Sequence, residues 1–533
     1  MWDVYPRPQL VRDNYLLLNG QWQLNGRDII VPYPPESELS GYIDGVSSTM
    51  IYKKEFTFKK SKDLVLLHFG AVDAICEVYL NGSYVGEHIG GYLPFTLDIT
   101  PYIQKENTLV VKAIDELDKN LPYGKQSKKS RGMWYTQVSG IWQSVWIEEV
   151  NIGYIKDIQI KTTLDKVELS IDSASKEFEV EIPAINFKEK YKDKNIVIKI
   201  DNPHLWDISD PYLYDMKIST KSDSVQSYFA LREVKMQLIG KAQKLFLNNN
   251  PIFINGVLDQ GYYKKGIYTP EVPEDYLKDI QRMHNLGFNT LRKHAKVEPD
   301  IFYYYCDKEG MLVLQDMVHS GRVSYVFDTL LPNLGFKYKF DLVCFNKQRK
   351  NFFVKHCKDT MHYLNNHPSV IGYTIFNEGW GQVQSDEIYT ELKSLDETRI
   401  FDSTSGWFHQ RHSDVQSVHM YFTNRKLNHR AGKILMLTEC GGFKCKISDH
   451  IAENADYGYG KNESVESLTK TIKKLYKKTV IPSIPRGLCG VIYTQLSDVE
   501  NEINGIYTYD REVCKVNRKE LVELFNEIYE NYN

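Results

Sequence analysis

From about residue 236 onward, buried-looking strands alternate with helical segments, and this alternation restricts the fold more than any other feature of the chain. Eight strand candidates are present: Ile252–Gly256, Asn289–Arg292, Leu312–Asp316, Val370–Asn377, Arg399–Ser403, Val415–Tyr421, Ile434–Glu439 and Gly490–Gln495. Amphipathic helices fit between several of them. Pro273–Leu286 carries Tyr276, Ile280 and Met283 on one stripe, and Gln348–Asn365 carries Phe352, Val354 and Met361. Repeated βα units over about 300 residues predict a parallel (β/α)8 barrel. The rival, a doubly wound sheet, would place a Gly-rich phosphate loop after an early strand, and the sequence has none.

Residues 1–150 have a different texture. Short strands such as Ile51–Phe58, Leu64–Phe69, Glu77–Leu80, Thr108–Ala113 and Ser144–Glu148 are separated by turn signals such as Asn81-Gly82 and Gly90-Gly91. This spacing predicts a β-sandwich or jelly roll. Alternation continues over 151–235, in Ile158–Lys161, Lys166–Ile171 and Val197–Ile200, and fits a second, smaller sandwich of immunoglobulin-like size. Three domains are therefore expected: 1–150, 151–235 and 236–533.

With 66 basic and 69 acidic residues the net charge is −3, which excludes the basic footprint of a general nucleic-acid binder. No apolar run approaches the length of a membrane span. The first residues, MWDVYPRPQL, lack the pattern of a signal peptide, and the eight cysteines form no Cys-x-x-Cys pair, so free thiols in a reducing cytoplasm are expected. His409 and His412, three apart, have no adjacent carboxylate or cysteine, and no metal site is expected. Aromatic residues reach 13%, an excess that sheet packing accounts for first and sugar stacking second.

In a barrel of this kind, reacting groups project from the C-terminal ends of the strands. Two carboxylates lie there: Glu378 ends the fourth strand in VIGYTIFNEGW, and Glu439 ends the seventh in ILMLTECGG. Both follow apolar runs, and a buried carboxylate is costly unless it is paired or protonated. Strands four and seven are expected on opposite sides of the mouth, so the two groups can face each other. Paired carboxylates serve glycoside hydrolysis. The alternative is that each bridges to Arg292 or another basic neighbour for structural reasons.

At these residues the chain resembles glycoside hydrolase family 2, the group of β-galactosidases, β-glucuronidases and β-mannosidases. NHPSVIGYTIFNEGWGQ (366–382) is similar to the family's acid/base segment and LTEC (437–440) to its nucleophile segment. LNGSYVGEHIGGYLPFTLDIT (80–100) and RGMWYTQVSGIWQSVWIE (131–148) resemble its sugar-binding-like jelly roll, and NPHLWDISDPYLY (202–214) the end of its immunoglobulin-like domain. The resemblance implies a jelly roll, an immunoglobulin-like sandwich and a (β/α)8 barrel. It implies Glu378 as general acid/base, Glu439 as nucleophile and Asn377 as the ligand of the 2-hydroxyl. Arg292, His294 and Tyr421 are implied near the glutamates, with Trp380 and Trp407 as stacking faces. Asp259, Asp316, Tyr493 and Gln495 lie at strand ends and are further candidates for substrate contact.

The implied activity is a retaining exo-β-glycosidase acting on a glycoside or oligosaccharide without a cofactor. The Asn-x-Lys pair that holds a uronic acid in the family's glucuronidases is missing from ENEINGIYTYDR (500–511), and the metal-binding Glu-x-His of some galactosidases is not found in MVHSG (317–321). VLQDM (313–317) is nearer to mannosidase-like relatives, while LDQGYY (258–263) matches none of these branches. β-Galactosidase leads. β-Glucuronidase, β-mannosidase and β-galactofuranosidase are the alternatives within the family, and a non-catalytic carbohydrate-binding protein is the alternative outside it. A homo-oligomer is compatible with all of these.

Overall fold

The computed structural model describes residues 2–324, 326–336, 346–408, 411–452 and 455–532. His409 and Cys344 lie outside these residues; the other seven cysteines are free thiols. Among the described residues no helix is long and apolar enough to cross a membrane.

The first unit is a sandwich of two antiparallel sheets. One has four strands, ordered Tyr15–Leu17, Val145–Val150, Leu64–Phe69, Phe95–Asp98; the other has six, centred on Thr49–Thr57 and Glu106–Ile114. Glu106–Ile114 shows why these segments are strands: Asn107, Leu109, Val111 and Ala113 face inward while their neighbours face out, the period-two pattern of a half-buried strand. The second unit packs a three-stranded sheet on a four-stranded one over an Ile- and Val-rich core. Trp206, from the Pro-bounded segment that follows Asn195–Lys199, is fully buried and donates Nε1–H to the Asp307 carbonyl, tying this sandwich to the barrel at 2.7 Å.

The barrel strands are β1 (Ile254–Asp259), β2 (Thr290–Lys293), β3 (Leu312–Asp316), β4 (Val370–Asn377), β5 (Ile400–Ser405), β6 (Val415–Met420), β7 (Ile434–Gly441) and β8 (Leu488–Thr494). Each corresponds to one of the eight sequence candidates. Parallel ladders join β1 through β5 in order, β6 to β7, β7 to β8 and β8 to β1. At the β5/β6 seam side chains substitute for part of the ladder: Asp414 accepts from the Phe401 amide and Ser413 from the Ser403 amide. Helices α1 (Glu274–His284), α2 (Asp300–Glu309), α3 (Lys347–Leu364), α4 (Ser385–Lys393), α5 (Val465–Leu475) and α6 (Arg518–Tyr532) surround the strands. In α1 Glu274 and Asp275 occupy the first turn and Arg282 and His284 the last, in accord with the helix dipole. Helix α3 corrects one detail of the sequence reading. Phe353, rather than Phe352, joins Val354 and Met361 on the buried stripe, and Phe352 faces sideways toward the sandwiches.

The two sandwiches are joined through Arg12. Its guanidinium, 4% exposed, donates to Glu148 at 2.9 Å and to Asp223 at 2.7 Å, both themselves buried. Burial by itself would raise the Glu148 carboxyl, but Arg7, His68 and Arg12 outweigh it and hold it well below the usual carboxylate range. Arg12→Ala strands two buried carboxylates and is expected to destabilise the fold by about 3–5 kcal/mol, read as a lowered thermal midpoint. Because the folded value of Glu148 is depressed, its stabilisation is present above the ordinary Glu range and fades as pH falls toward the folded value. The gap between wild type and variant should therefore narrow in acid, and a constant gap would show that Glu148 is not the affected partner.

Candidate active site

Glu378 is the first residue beyond β4. Its φ of 51° is a left-handed conformation that a non-glycine residue adopts only under constraint. The turn is fixed by Glu378 N–H donating to the Ser405 carbonyl and Trp380 N–H to the Asn377 carbonyl, both at 2.8 Å. It directs the carboxylate across the barrel mouth. Glu439 lies within β7, where the register slips on both sides, against β6 at Val418/His419 and against β8 between Leu437 and Cys440. Such bulges re-aim a side chain next to functional sites. A carboxylate oxygen of each glutamate lies within 4.8 Å of the other, and a ring nitrogen of His419 lies within the same distance of both.

Arg292, at the end of β2 and 1% exposed, organises the floor of the site. It donates to Glu439 Oε1 at 3.0 Å, Asp316 Oδ1 at 3.0 Å, Asn377 Oδ1 at 2.8 Å and the Thr438 carbonyl at 3.0 Å. With Asn377 Oδ1 occupied, its Nδ2 is a buried donor with no partner. Tyr421 donates its hydroxyl to Glu439 Oε2. His419 Nδ1 is 2.8 Å from Glu378 Oε1, and its Nε2 is 2.8 Å from the Ser405 hydroxyl and 3.6 Å from Glu439 Oε1.

These contacts give the two carboxylates different environments. Burial alone would push Glu439 up, but His419, Arg292 and the Tyr421 hydrogen bond outweigh it and hold the carboxyl well below its ordinary range. Asp316 is likewise lowered to about 2, against its burial, by the Arg292 charge and by His294 at 2.5 Å. Among the described residues the basic side chain paired with Glu378 is His419 alone. Glu378, His419 and Glu439 also form a donor cluster of metal-ligating type, with His419 and Glu439 buried and Glu378 half-buried. Their donor atoms are already engaged with one another, with Arg292, Ser405 and Tyr421, and Arg292 opposes a second cation. The arrangement suits proton transfer beside a fixed anion better than metal ligation.

A cleft of ≈ 220 Å³ opens above the pair, walled by Trp380, Trp407, Tyr421, Tyr457, Tyr459 and Asn504. Of the residues anticipated from sequence, Glu378, Glu439, Asn377, Arg292, Tyr421, Trp380 and Trp407 converge here, Trp407 with its ring 5.6 Å from His419. His294 and Asp316 form a supporting pair behind Arg292, and His294 meets the edge of Trp380. Three do not reach the cleft. Asp259 is held in a buried ion pair with Lys293 at 2.6 Å. Tyr493 packs in the apolar layer between strands and helices, its ring against Gly441. Gln495 is fully buried, accepts from Gln260 and donates to Asn504, so it positions Asn504 from behind.

Other residues of the site were missed. His419 had a signal: it stands on β6 two residues before Tyr421, the first residue beyond that strand, and period-two alternation puts both on one face. Lys125 and Trp134 had none, because they reach the mouth from the first sandwich. Trp134 packs 5.3 Å from Trp380, and the Lys125 ammonium lies 5.1 Å above the Trp380 ring. Glu502 lies beyond β8 and is held by the Tyr135 hydroxyl, also from the first sandwich.

Comparison with known proteins agrees with the architecture of two sandwiches and a barrel. Three family models cover the chain in succession: the family 2 sugar binding domain over residues 14–150, a further glycosyl hydrolases family 2 model over 153–232, and the family 2 TIM barrel domain over 239–479. A beta-galactosidase of Thermoanaerobacter pseudethanolicus is 27% identical over 296 residues, 50% of this chain and 39% of that protein. A putative beta-glucuronidase of Formosa agariphila is 26% identical over 72% of this chain and 36% of that protein. The matched region thus spans about two fifths of the length of these relatives. Among solved structures, a beta-D-glucuronidase of Dictyoglomus thermophilum superposes with a TM-score of 0.76 at 19% identity, covering 98% of both chains. A beta-galacturonidase of Eisenbergiella tayi bound to galacturonate does so with a TM-score of 0.72 at 18% identity, covering 98% of this chain and 99% of that one. With three successive family models accounting for both sandwiches and most of the barrel, the chain belongs to glycosyl hydrolase family 2.

Proposed function

We propose that the protein is a retaining exo-β-glycosidase, with Glu439 as nucleophile and Glu378 as general acid/base. The observation that carries this reading is the pair of carboxylates within 4.8 Å, one held anionic by Arg292 and Tyr421. Oxygens that approach this closely are compatible with the ~5–5.5 Å carboxyl separation of retaining enzymes and leave little room for the water that inverting ones hold across ~6.5–9.5 Å.

In the first step a Glu439 oxygen attacks the anomeric carbon while protonated Glu378 gives its proton to the departing glycosidic oxygen. The aglycone leaves as an alcohol and a glycosyl ester remains on Glu439. In the second step Glu378, now a carboxylate, takes a proton from water as the water oxygen displaces Glu439. Asn377 Nδ2 donates to the 2-hydroxyl, Trp380 and Trp407 offer ring faces to the pyranose, and Asn504 lines the far wall. No step calls for a cofactor, and the substrate is a small glycoside or oligosaccharide rather than a nucleic acid.

The test is covalent trapping. A 2-deoxy-2-fluoro-β-glycoside with a dinitrophenyl leaving group should inactivate the enzyme and leave its label on the peptide containing Glu439. A label on another residue would refute the nucleophile assignment. Failure to turn over any aryl β-glycoside in a panel would leave a non-catalytic carbohydrate-binding protein as the better reading.

The leading sugar is a β-galactoside. One observation favours a uronide instead. Lys125 lines the cleft, is 6% exposed, and has no ion-pair partner among the described residues. A sugar carboxylate would supply that partner. If uronides are the substrates, Lys125→Met should lower kcat/KM on an aryl β-uronide by roughly 10- to 100-fold and leave the galactoside within about 3-fold. Equal effects on both sugars would dismiss the uronide reading.

A further inference from the structure

A cavity of ≈ 510 Å³, more than twice the ≈ 220 Å³ of the cleft, lies where the first sandwich meets the second sandwich and helices α2 and α3. It shares no lining residue with the cleft. Its size is that of pockets that enclose small ligands, ~300–1,000 Å³. The walls mix apolar and polar side chains, with Leu93, Trp146, Ile301 and Phe352 among the apolar ones.

Three polar side chains of these walls carry a buried atom without a hydrogen bond; Arg7 Nε has the Glu148 carboxylate 3.9 Å away, and the other two are neutral and have no such charge partner. Gln143 Nε2 and His356 Nε2 are buried atoms that make no hydrogen bond, on side chains 4% and 5% exposed. Leaving such atoms unsatisfied opposes folding, so their placement in a cavity wall points to something that satisfies them. The two offer complementary chemistry. Gln143 Nε2 can only donate. The Thr360 hydroxyl donates to the His356 carbonyl at 2.8 Å, which turns its oxygen toward His356 Nδ1 as an acceptor at 3.5 Å. With the ring proton on Nδ1, the tautomer this contact favours, Nε2 is an acceptor. Burial, with Lys355 adding to it, lowers the imidazole to about 4 and keeps it neutral near pH 7.

A ligand that accepts from one site and donates to the other presents hydroxyl groups, which do both. The charged groups around it are matched among themselves: Arg7 lies 3.9 Å from Glu148, Lys355 pairs with Asp359 at 2.6 Å, His362 with Asp157 at 3.1 Å and Asp300 with His367 at 2.7 Å, while Lys156 faces solvent. A neutral ring with hydroxyls on its edge and apolar faces against Trp146 and Phe352 fits this combination. Water could satisfy the two polar atoms but would gain nothing along the apolar walls.

We propose that this cavity is a second sugar site, remote from the catalytic cleft, which takes a neutral mono- or disaccharide through Gln143 and His356. All three structural units contribute walls, so an occupant would hold them together and stabilise the folded chain by mass action. The inference does not depend on the chemistry assigned to the cleft.

The probes are free D-galactose and D-glucose, titrated by calorimetry into the full chain and into three variants, Gln143→Met, His356→Phe and Trp407→Ala. The expected result is saturable binding of at least one sugar that persists in Trp407→Ala. It should weaken about 10-fold or more in each cavity variant, the loss of one hydrogen bond, while kcat/KM on an aryl glycoside stays within about 2-fold. Binding that disappears with Trp407→Ala and is unchanged by both cavity variants would place the sugar in the cleft and overturn the proposal. So would no saturable binding up to about 100 mM sugar. If a cavity variant fails to fold, crystals of the unmodified protein soaked in D-galactose decide. A pyranose ring within hydrogen-bond distance of Gln143 Nε2 and His356 Nε2 supports the site, and ordered water alone overturns it.

Discussion

Glu439→Gln is expected to reduce kcat on an activated aryl β-glycoside by on the order of 10⁴-fold or more, the scale on which loss of a covalent nucleophile is felt. The substitution is nearly isosteric. The amide oxygen can still accept from Arg292, which donates at 3.0 Å in the native site, so Arg292 keeps a neutral partner there and its charge partner in Asp316. The folded state should survive, and a thermal melt within a few degrees of wild type would establish that. What is lost is the anionic oxygen that forms the bond to the anomeric carbon. A fall of 10⁴ corresponds to about 5.5 kcal/mol of transition-state stabilisation, far beyond what repositioning of a sugar contact produces. Residual activity above about 1% of wild type in a verified, folded sample would show that Glu439 is not the nucleophile. The environment of Glu439 adds a pH corollary. Its folded value is depressed, so it is ionised from well below the ordinary Glu range upward. An acid limb in kcat/KM at mildly acidic pH must therefore report another group, and the limb should not move when Tyr421→Phe removes one of the donors to Glu439.

The barrel was more legible in the sequence than the sandwiches because of how its strands are buried. A segment such as Val370–Asn377 is buried at every position, so it reads as one apolar block with turn residues at its ends. Its end is then also the place where a polar residue stands out, which is how Glu378 and Asn377 were found. The same rule failed for Asp259, Tyr493 and Gln495. Being at a strand end places a residue near the mouth, but which side of the wall it faces depends on pleat and register. β7 and β8 slip past each other at the point where Cys440 comes to pair with Tyr493, and no spacing in the sequence announces a bulge. His419 could have been read, since it shares a face with Tyr421. Lys125 and Trp134 could not, because their neighbours in the cleft are more than 200 residues away in the chain.

That long-range contribution has a physical consequence. The wall above Trp380 is built from the first sandwich, and the Lys125 ammonium over the indole is stabilised by the ring rather than by a carboxylate. On the proposed reading the barrel supplies the reacting carboxylates, while the sandwich supplies the charge that a substrate substituent would meet. On that reading sugar selectivity and bond cleavage fall to separate structural units, and among the described residues Lys125 makes no ion pair with the carboxylates that Arg292 holds.

Glu378→Ala separates the two steps of the proposed reaction. A dinitrophenyl glycoside needs no proton on its leaving group, so formation of the glycosyl ester should fall by less than about 10-fold, whereas a methyl or unsubstituted phenyl glycoside should lose about 10²–10⁴ in kcat/KM. Hydrolysis of the ester has lost its base in either case. With the activated substrate kcat should therefore drop, and KM should drop with it as the ester accumulates. Removing the carboxylate leaves space beside His419, which stood 2.8 Å from Glu378. Azide is small, anionic and needs no deprotonation, so it can enter there and attack the ester. Added azide should raise kcat on the dinitrophenyl glycoside and yield a β-glycosyl azide, the same anomer as the substrate because two inversions have occurred. The methyl glycoside should gain nothing, since azide cannot protonate a poor leaving group. Equal losses on both substrates, or indifference to azide, would remove the acid/base role from Glu378. An α-glycosyl azide would mean a single displacement, and the assignment of Glu439 as a covalent nucleophile would fall with it.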